Sequence, residues 1–341
     1  MGQTDQSRNQ PLPRFTVAKA GALWLALCFL LNACAPYVVP AGPATAEPAF
    51  TLKGFRTEDG LHLPFYEWGP AAPRAVVIAL HGFGDYSNGF DKAANALAAR
   101  GIATYAYDQR GFGVSPDRGR WHGAARLVED AADAVRALRR KHPGVPLYLM
   151  GHSMGGGVAM AAAANDPGLP VDGLILVAPA VWSRDFMPAA QTELLEVSAH
   201  TVPWYPLTGQ GIRITPTDDL AALRALSRDP KVLRAFRVDQ IWGLTNLMDS
   251  AAAAPPQIGV PVLYLYGLRD DVIPQRPTKA ALAGFAEEWL TAAIYDDGYH
   301  LLLRSTLGDT VIRDIAHWID DPAAPLPSGA EREWRERLDR R

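Results

Sequence analysis

Six short apolar runs recur between residues 75 and 295: Ala75–Leu80, Ile102–Tyr107, Leu147–Met150, Leu174–Val177, Val262–Tyr266 and Leu290–Tyr295. None alternates with polar residues, the pattern of a strand buried on both faces. The stretches between them are long enough for crossover helices. Ala124–Lys141 shows the helical period directly, with Leu127, Ala131, Val135 and Leu138 on one face, and Asp91–Arg100 is dense in alanine and leucine. Buried strands joined by helices predict an α/β fold with a mostly parallel, doubly wound sheet. Two earlier runs, Thr51–Phe55 and Leu61–Trp68, split by Glu58-Asp59-Gly60, read as an opening antiparallel hairpin and bring the total to about eight strands. The last helix of the core is expected over Thr310–Ile319.

One interval breaks this rhythm. From 182 to 255 no strand is apparent, only short helical segments separated by proline and glycine. It is too long for a structureless loop. It reads as a helical lid inserted over the C-terminal end of the sheet, where open α/β sheets carry their ligand site. The core is then 51–181 and 256–320, preceded by a Pro/Ala-rich segment (34–50) read as an extended spacer. The end of the chain, 321–341, reads as a charged tail, solvated or disordered.

The formal net charge of −3 offers no basic footprint for nucleic acid. The only cysteines, Cys28 and Cys34, precede the body, which therefore has no thiolate nucleophile and no cysteine-based zinc site. A serine is better placed for chemistry. Gly151-His152-Ser153-Met154-Gly155 stands where the apolar run Leu147–Met150 meets a small-residue, helix-compatible stretch. A G-x-S-x-G corner of this kind pushes the serine oxygen clear of the backbone, and the G-x-G-x-x-G spacing of a dinucleotide loop is absent around Ser153.

A serine hydroxyl needs a neighbouring base and donors for an oxyanion. His81-Gly82-Phe83-Gly84 follows the run Ala75–Leu80 directly, so the backbone N–H groups of Phe83 and Met154 are the expected donors, with His81 a structural residue fixing the loop. Among eight histidines, His62, His122, His142 and His317 fall in a strand, at helix ends or in the last helix. His200 lies in the lid, and His152 adjoins the serine and is expected to point away from it. His300, after the last strand, alone completes the chain order Ser…Asp…His. Asp270 and Asp271 both stand where the acid should be.

Five motifs, His81-Gly-Phe-Gly84, Asp108-Gln-Arg-Gly-Phe-Gly-Val-Ser115, Gly151-His-Ser-Met-Gly-Gly156, Gly267-Leu-Arg-Asp270 and Gly298-Tyr-His300, resemble those of the α/β-hydrolase superfamily. The likeness covers residues 52–319 and is to the monoacylglycerol lipase and lysophospholipase-like (serine aminopeptidase S33-type) branch. It implies a Ser153–His300–Asp270 triad, the acid lying three residues after the strand-ending Gly267, which hydrolyses an ester through an acyl-enzyme. It implies no metal and no organic cofactor. Asp108 to Ser115 would be a structural loop whose ionic contacts hold the rim of the site. Ser153 argues against epoxide hydrolases and dehalogenases, whose nucleophile is aspartate. Short-chain carboxylesterases and proline-type aminopeptidases keep the serine, and the latter need lid carboxylates, for which Glu193 and Glu196 are available. A non-catalytic lipoprotein on this scaffold would need a broken triad or a missing oxyanion loop, and neither is seen. The lid is rich in apolar side chains (Phe186, Tyr205, Phe236, Met248), a lining that suits the acyl chain of a lipid-like ester such as a monoacylglycerol or lysophospholipid, and Trp182, Trp204 and Trp242 are its candidate substrate-binding residues.

At the start of the chain, Arg8, Arg14 and Lys19 precede an apolar run from Ala20 to Leu31, the length of a signal-peptide core. Leu31-Asn32-Ala33-Cys34 resembles a bacterial lipoprotein box, which makes Cys34 the expected lipidation site and 1–33 a signal peptide. Removing those residues takes away three basic groups and one acid and moves the formal charge from −3 to −5. The resemblance implies a lipid anchor in the cell envelope. Because position 35 is alanine, the outer membrane, facing the periplasm, is the expected address in a Gram-negative host.

Overall fold

The structure is a computed structural model that describes residues 35–208 and 214–339. Its strands are β1 (Ala49–Thr51), β2 (Gly54–Arg56), β3 (His62–Leu63), β4 (Phe65–Trp68), β5 (Ala75–Leu80), β6 (Ile102–Tyr107), β7 (Leu147–His152), β8 (Gly173–Val177), β9 (Pro206–Leu207), β10 (Phe236–Arg237), β11 (Val262–Gly267) and β12 (Leu290–Tyr295). Seven form the central sheet in the order β12-β11-β8-β7-β5-β6-β4, parallel throughout except for β4 at one edge. Every residue of β5, β6, β7, β8 and β11 is buried, because helices cover both faces. Along β5 the side chains alternate between two cores: Val76, Ile78 and Leu80 face one, Ala75, Val77 and Ala79 the other.

The helices are α1 (Asp91–Ala98), α2 (Ala124–Lys141), α3 (Met154–Asn165), α4 (Ala189–Thr201), α5 (Leu220–Arg228), α6 (Val238–Ala253), α7 (Gln275–Gly284), α8 (Gly308–Asp320) and α9 (Trp334–Asp339). α2 and α3 supply the first core, α1 and α8 the second. The strand order reverses at β5, whose chain successor β6 lies on one side and β7 on the other. The loops leaving β5 and β7 therefore diverge at the crevice where open α/β sheets bind ligands.

Four segments depart from the sequence reading; one is the insert, where a short ribbon, β9-β10, stands among the expected helices. The run Leu61–Trp68 is one strand in two places. Pro64 has no N–H to give a ladder; His62–Leu63 joins the small antiparallel sheet β1-β2-β3, while Phe65–Trp68 crosses to pair with β6. The segment read as a spacer lies along the body. Val39 N–H donates to the Trp121 carbonyl at 2.8 Å, and Thr45 and Ala46 donate to Glu58 at 2.7 and 2.9 Å. The charged tail is also docked, since its sparse apolar residues are spaced to reach the core. Leu326, Ala330 and Leu338 are buried, and the Ala330 carbonyl accepts from Ile294 N–H on the edge strand β12 at 2.9 Å. That contact covers the sheet edge, which would otherwise present open backbone groups to other chains.

Between β8 and β11 the chain forms a 3₁₀ turn (Arg184–Phe186), α4, the two-stranded ribbon β9-β10, α5 and α6. This insert packs chiefly through α6 onto α3.

Candidate active site

Ser153 is the single residue between the end of β7 and the start of α3, and it takes φ 50° and ψ −117° to make that reversal. Such a backbone costs on the order of 1–3 kcal/mol and persists only where its surroundings over-determine it. Here its N–H donates to the Val177 carbonyl on β8 at 3.0 Å, and its carbonyl accepts from Gly157 and Ala180 N–H at 3.1 and 2.9 Å. The corner also demands that α3 lie against β5: any Cβ on Gly155 would overlap the Leu80 carbonyl, so glycine is required there. Leu80 pairs with Gly151, which sets the end of β5 beside the serine.

The loop after β5 is held by His81. Gln109 N–H donates to His81 Nε2 at 2.9 Å, so the proton sits on Nδ1, which donates to the Gly82 carbonyl at 2.9 Å. The Gln109 side chain closes the link by donating to the His81 carbonyl at 2.9 Å. Burial pushes the His81 pKa down, which keeps this neutral form. Phe83 follows and lines the same cavity as Ser153. Met154 is the first residue of α3, and N–H groups of a first helical turn have no acceptor within their helix.

β11 and β12 are adjacent and parallel, with Gly267 opposite Tyr295, so the loops that follow them run side by side. Leu268 N–H donates to Tyr295 and Arg269 N–H to Gly298, at 3.0 and 2.9 Å. The result places Asp270 Oδ2 2.8 Å from His300 Nδ1, both side chains almost fully buried. Asp270 Oδ1 accepts from Val272 and Ile273 N–H at 2.7 and 2.9 Å, which fixes the carboxylate in its plane. Asp271 is exposed and borders the cavity, and Thr215 N–H reaches its Oδ2 at 3.4 Å. With Nδ1–H donated to Asp270, His300 Nε2 is left to exchange a proton, and Ser153 and His300 line one cavity.

His152 does not simply point away. Its ring packs against His300 at 4.9 Å between centroids, and its Nε2–H donates to the His300 carbonyl at 3.1 Å. Burial first, then the neighbouring His300 and Arg304, push its pKa down to about 3. It is therefore a neutral strut behind the catalytic candidate and adds no positive charge there. Sequence reasoning also passed over the part-buried ion pair of Asp85 with Arg304, both of which line the cavity. Arg304 stands one helical turn beyond His300, the one sequence cue for it.

The cavity is about 820 Å³ and mostly apolar. Trp182 lines it; Trp204 and Trp242 do not. The lining residues of α6 are Ile241, Leu244, Thr245 and Met248, a helical stripe, and Trp242 lies one position off that stripe. Its indole N–H instead donates to Glu196 on α4 at 2.8 Å. Trp204 sits in the turn before the ribbon, 54% exposed. Glu193 and Glu196 occupy the outer side of α4, whose cavity-lining residues are Gln191 and Leu195.

Beneath the rim, the Asp108–Ser115 loop is anchored at two points. Asp108 accepts from Ser87 and from Val114 N–H. Buried Arg110 forks onto Asp59 at 2.7 and 2.9 Å and onto Asp130 at 2.6 Å, with Arg126 also on Asp130. Burial alone would raise the Asp59 pKa, but the hydrogen bonds from Arg110 and Thr57 and the charges of Arg110 and Arg126 hold it well below the usual range.

A strained serine at a strand-to-helix corner, with a buried Asp–His pair beside it on a doubly wound sheet, defines a serine hydrolase of the α/β-hydrolase fold. Residues 71–306 match the family described as serine aminopeptidase, S33, and the chain belongs to it. It is 29% identical to a monoacylglycerol lipase of Mycolicibacterium smegmatis over 277 residues, 76% of this chain and 93% of that one. It is 26% identical to a monoglyceride lipase of Homo sapiens, covering 78% of this chain and 89% of that one. The crystal structure of a Paleococcus ferrophilus monoacylglycerol lipase shares the fold, with a TM-score of 0.64 at 24% identity, over 76% of this chain and 98% of that one.

The different surroundings of the two adjacent aspartates predict unequal consequences of substitution. Asp270→Asn should lower kcat by about 10³–10⁴-fold, because the amide favours the wrong imidazole tautomer, while Asp271→Asn should cost less than about tenfold. Steady-state hydrolysis by both variants checks this, and the reverse ranking would move the acid to Asp271.

Proposed function

We propose that the chain hydrolyses carboxylic esters of monoacylglycerol or lysophospholipid type through Ser153, His300 and Asp270. The observation that carries this reading is the convergence of a large apolar cavity on Ser153 and His300, with the Asp270–His300 hydrogen bond behind them. Ser153 Oγ attacks the ester carbonyl as its proton passes to His300 Nε2. The N–H groups of Phe83 and Met154 receive the negative charge that develops on the carbonyl oxygen. Collapse of the tetrahedral intermediate breaks the acyl–oxygen bond, and the leaving alcohol takes the proton from His300. Water then repeats the sequence on the acyl-enzyme, with His300 as base, and releases the acid and the serine. Asp270 holds the tautomer and stabilises the imidazolium.

Trp182, Met187, Leu195, Leu244 and Met248 wall the space into which an acyl chain would run. Each buried CH₂ is worth about 0.8 kcal/mol, so this wall favours long chains. An aminopeptidase needs a carboxylate for the substrate's amine; the α4 carboxylates do not line the cavity, and of the carboxylates that do, Asp85 is paired with Arg304, which leaves Asp271 as the one an amine could meet.

The anchoring residue proposed for this enzyme is Cys34, which with the signal-peptide run lies outside the described residues. Ala35 to Pro48 lie along the body, and Val39 is already hydrogen-bonded to it. A lipid on Cys34 would then sit within about 17 Å of the body, given the reach of five extended residues. Leu194, Val197, Trp204, Tyr205, Leu207 and Leu220 on the insert are exposed, a composition that suits work at a lipid surface. The outer membrane, in a Gram-negative host, is the proposed location.

Two outcomes are expected. Across p-nitrophenyl esters, monoacylglycerols, lysophospholipids and prolyl amides, esters with long acyl chains should be preferred. Leu244→Trp should cut kcat/KM for a long-chain ester by about tenfold or more while sparing the acetate, and Trp204→Ala should leave the chain-length profile as it was. Equal loss on both esters, or a preference for prolyl amides, would contradict the lipid reading. For the anchor, Cys34→Ser should abolish incorporation of labelled palmitate and release the enzyme from the membrane fraction; palmitate in that variant would rule Cys34 out.

A further inference from the structure

The loop that carries the proposed oxyanion donor is gripped from two sides. On the core side the Phe83 ring meets Phe112 and Trp121 edge-on, with centroids at 5.5 and 6.5 Å. On the insert side it stacks on Phe236 of β10, at 4.4 Å and 28° between planes. The next residue is tied to the insert as well: Leu233 N–H donates to the Gly84 carbonyl at 2.8 Å. Gly84 has φ 79°, and a Cβ there would lie 2.6 Å from the Phe236 ring, so the loop and the ring are built to close approach. The ring is in turn placed by the β9-β10 ribbon, where Phe236 pairs with Leu207.

We propose that Phe236 is a positioning residue for the oxyanion hole, so that the insert shapes the chemical step as well as covering the substrate. The proposal rests on the reading of Phe83 N–H as an oxyanion donor. A donor aimed at a developing charge contributes only if its position is held before the reaction, and the stack on Phe236 and the Leu233–Gly84 bond are what hold this one on its open side. Phe83 is half-buried and its inner contacts are edge-on, so without the outer ring its backbone gains room to tilt away from Ser153.

Phe236 also lines the acyl cavity, and a pure lining role makes a different forecast. The test uses p-nitrophenyl acetate, whose acyl group is too short to reach the apolar wall, alongside a long-chain ester. Phe236→Ala should lower kcat on both esters by about ten- to a hundredfold, with the acetate KM changed less than about threefold. A trifluoromethyl ketone with a methyl acyl side, whose hemiketal oxygen occupies the hole, should bind weaker by a factor similar to the loss in kcat. Phe236→Tyr, which keeps the ring, should restore kcat to within about twofold. Phe236→Leu keeps apolar bulk in the insert and should still show the kcat loss, which covers the case of an alanine variant that folds poorly. An acetate kcat within twofold of wild type in Phe236→Leu, with only the long-chain KM raised, would overturn the proposal. A wild-type enzyme that hydrolyses neither ester would instead overturn the hydrolase reading on which it rests.

Discussion

The site depends on one reversal of the chain. β7 must end and α3 begin across a single residue, and only a left-handed backbone at Ser153 turns the corner in that distance. The helix then starts so close to β5 that Gly155 packs its backbone on the Leu80 carbonyl. Once that contact is made, other placements follow from it. The end of β5 is brought beside the serine, and the loop beyond it arrives with Phe83 at the cavity. The strain is balanced by hydrogen bonds to β8 and to the chain just past it, at Val177 and Ala180, so a central and fully buried part of the sheet bears the cost.

Around this corner the polar groups are arranged to be neutral or paired. His81 and His152 are buried and each holds a backbone carbonyl, of Gly82 and of His300 respectively. Asp270 receives two backbone N–H groups besides the imidazole. Arg304 is matched by Asp85, and Arg110 by Asp59 and Asp130. A buried charge left without a partner costs several kcal/mol, so pairing is what lets these charges stand in the wall of the site. The insert adds the apolar wall and, through Phe236, reaches back to the loop that the core supports from the other side.

Much of this was legible in the chain because it rests on local rules. Strands buried on both faces are unbroken apolar runs, and the six core strands stand at those runs. Ser153 is marked by its glycines, and the spacing of Asp270 from Gly267, through the family resemblance, singles it out from Asp271; in the structure it is Asp270 that meets His300. What was not legible depends on phase or on distant partners. Trp242 is one residue off the cavity stripe of α6, and composition cannot tell an inward tryptophan from its outward neighbour. Pro64 inside the run Leu61–Trp68 was the cue that one strand serves two sheets. The N-terminal segment and the tail look like linkers by composition, yet Val39 and Ala330 find backbone partners on the body that only the folded chain supplies. His152 flanks the serine in sequence, yet its contact is with His300, which lies far along the chain.

The most direct test of the account is covalent. A fluorophosphonate bearing a long alkyl chain should form one adduct per chain, and peptide mass spectrometry should place it on Ser153. Labelling should disappear in Ser153→Ala while the variant keeps the thermal stability of the parent to within a few degrees or gains some. An adduct on another serine, or undiminished labelling of Ser153→Ala, would contradict the claim that this strained corner is where the chemistry occurs.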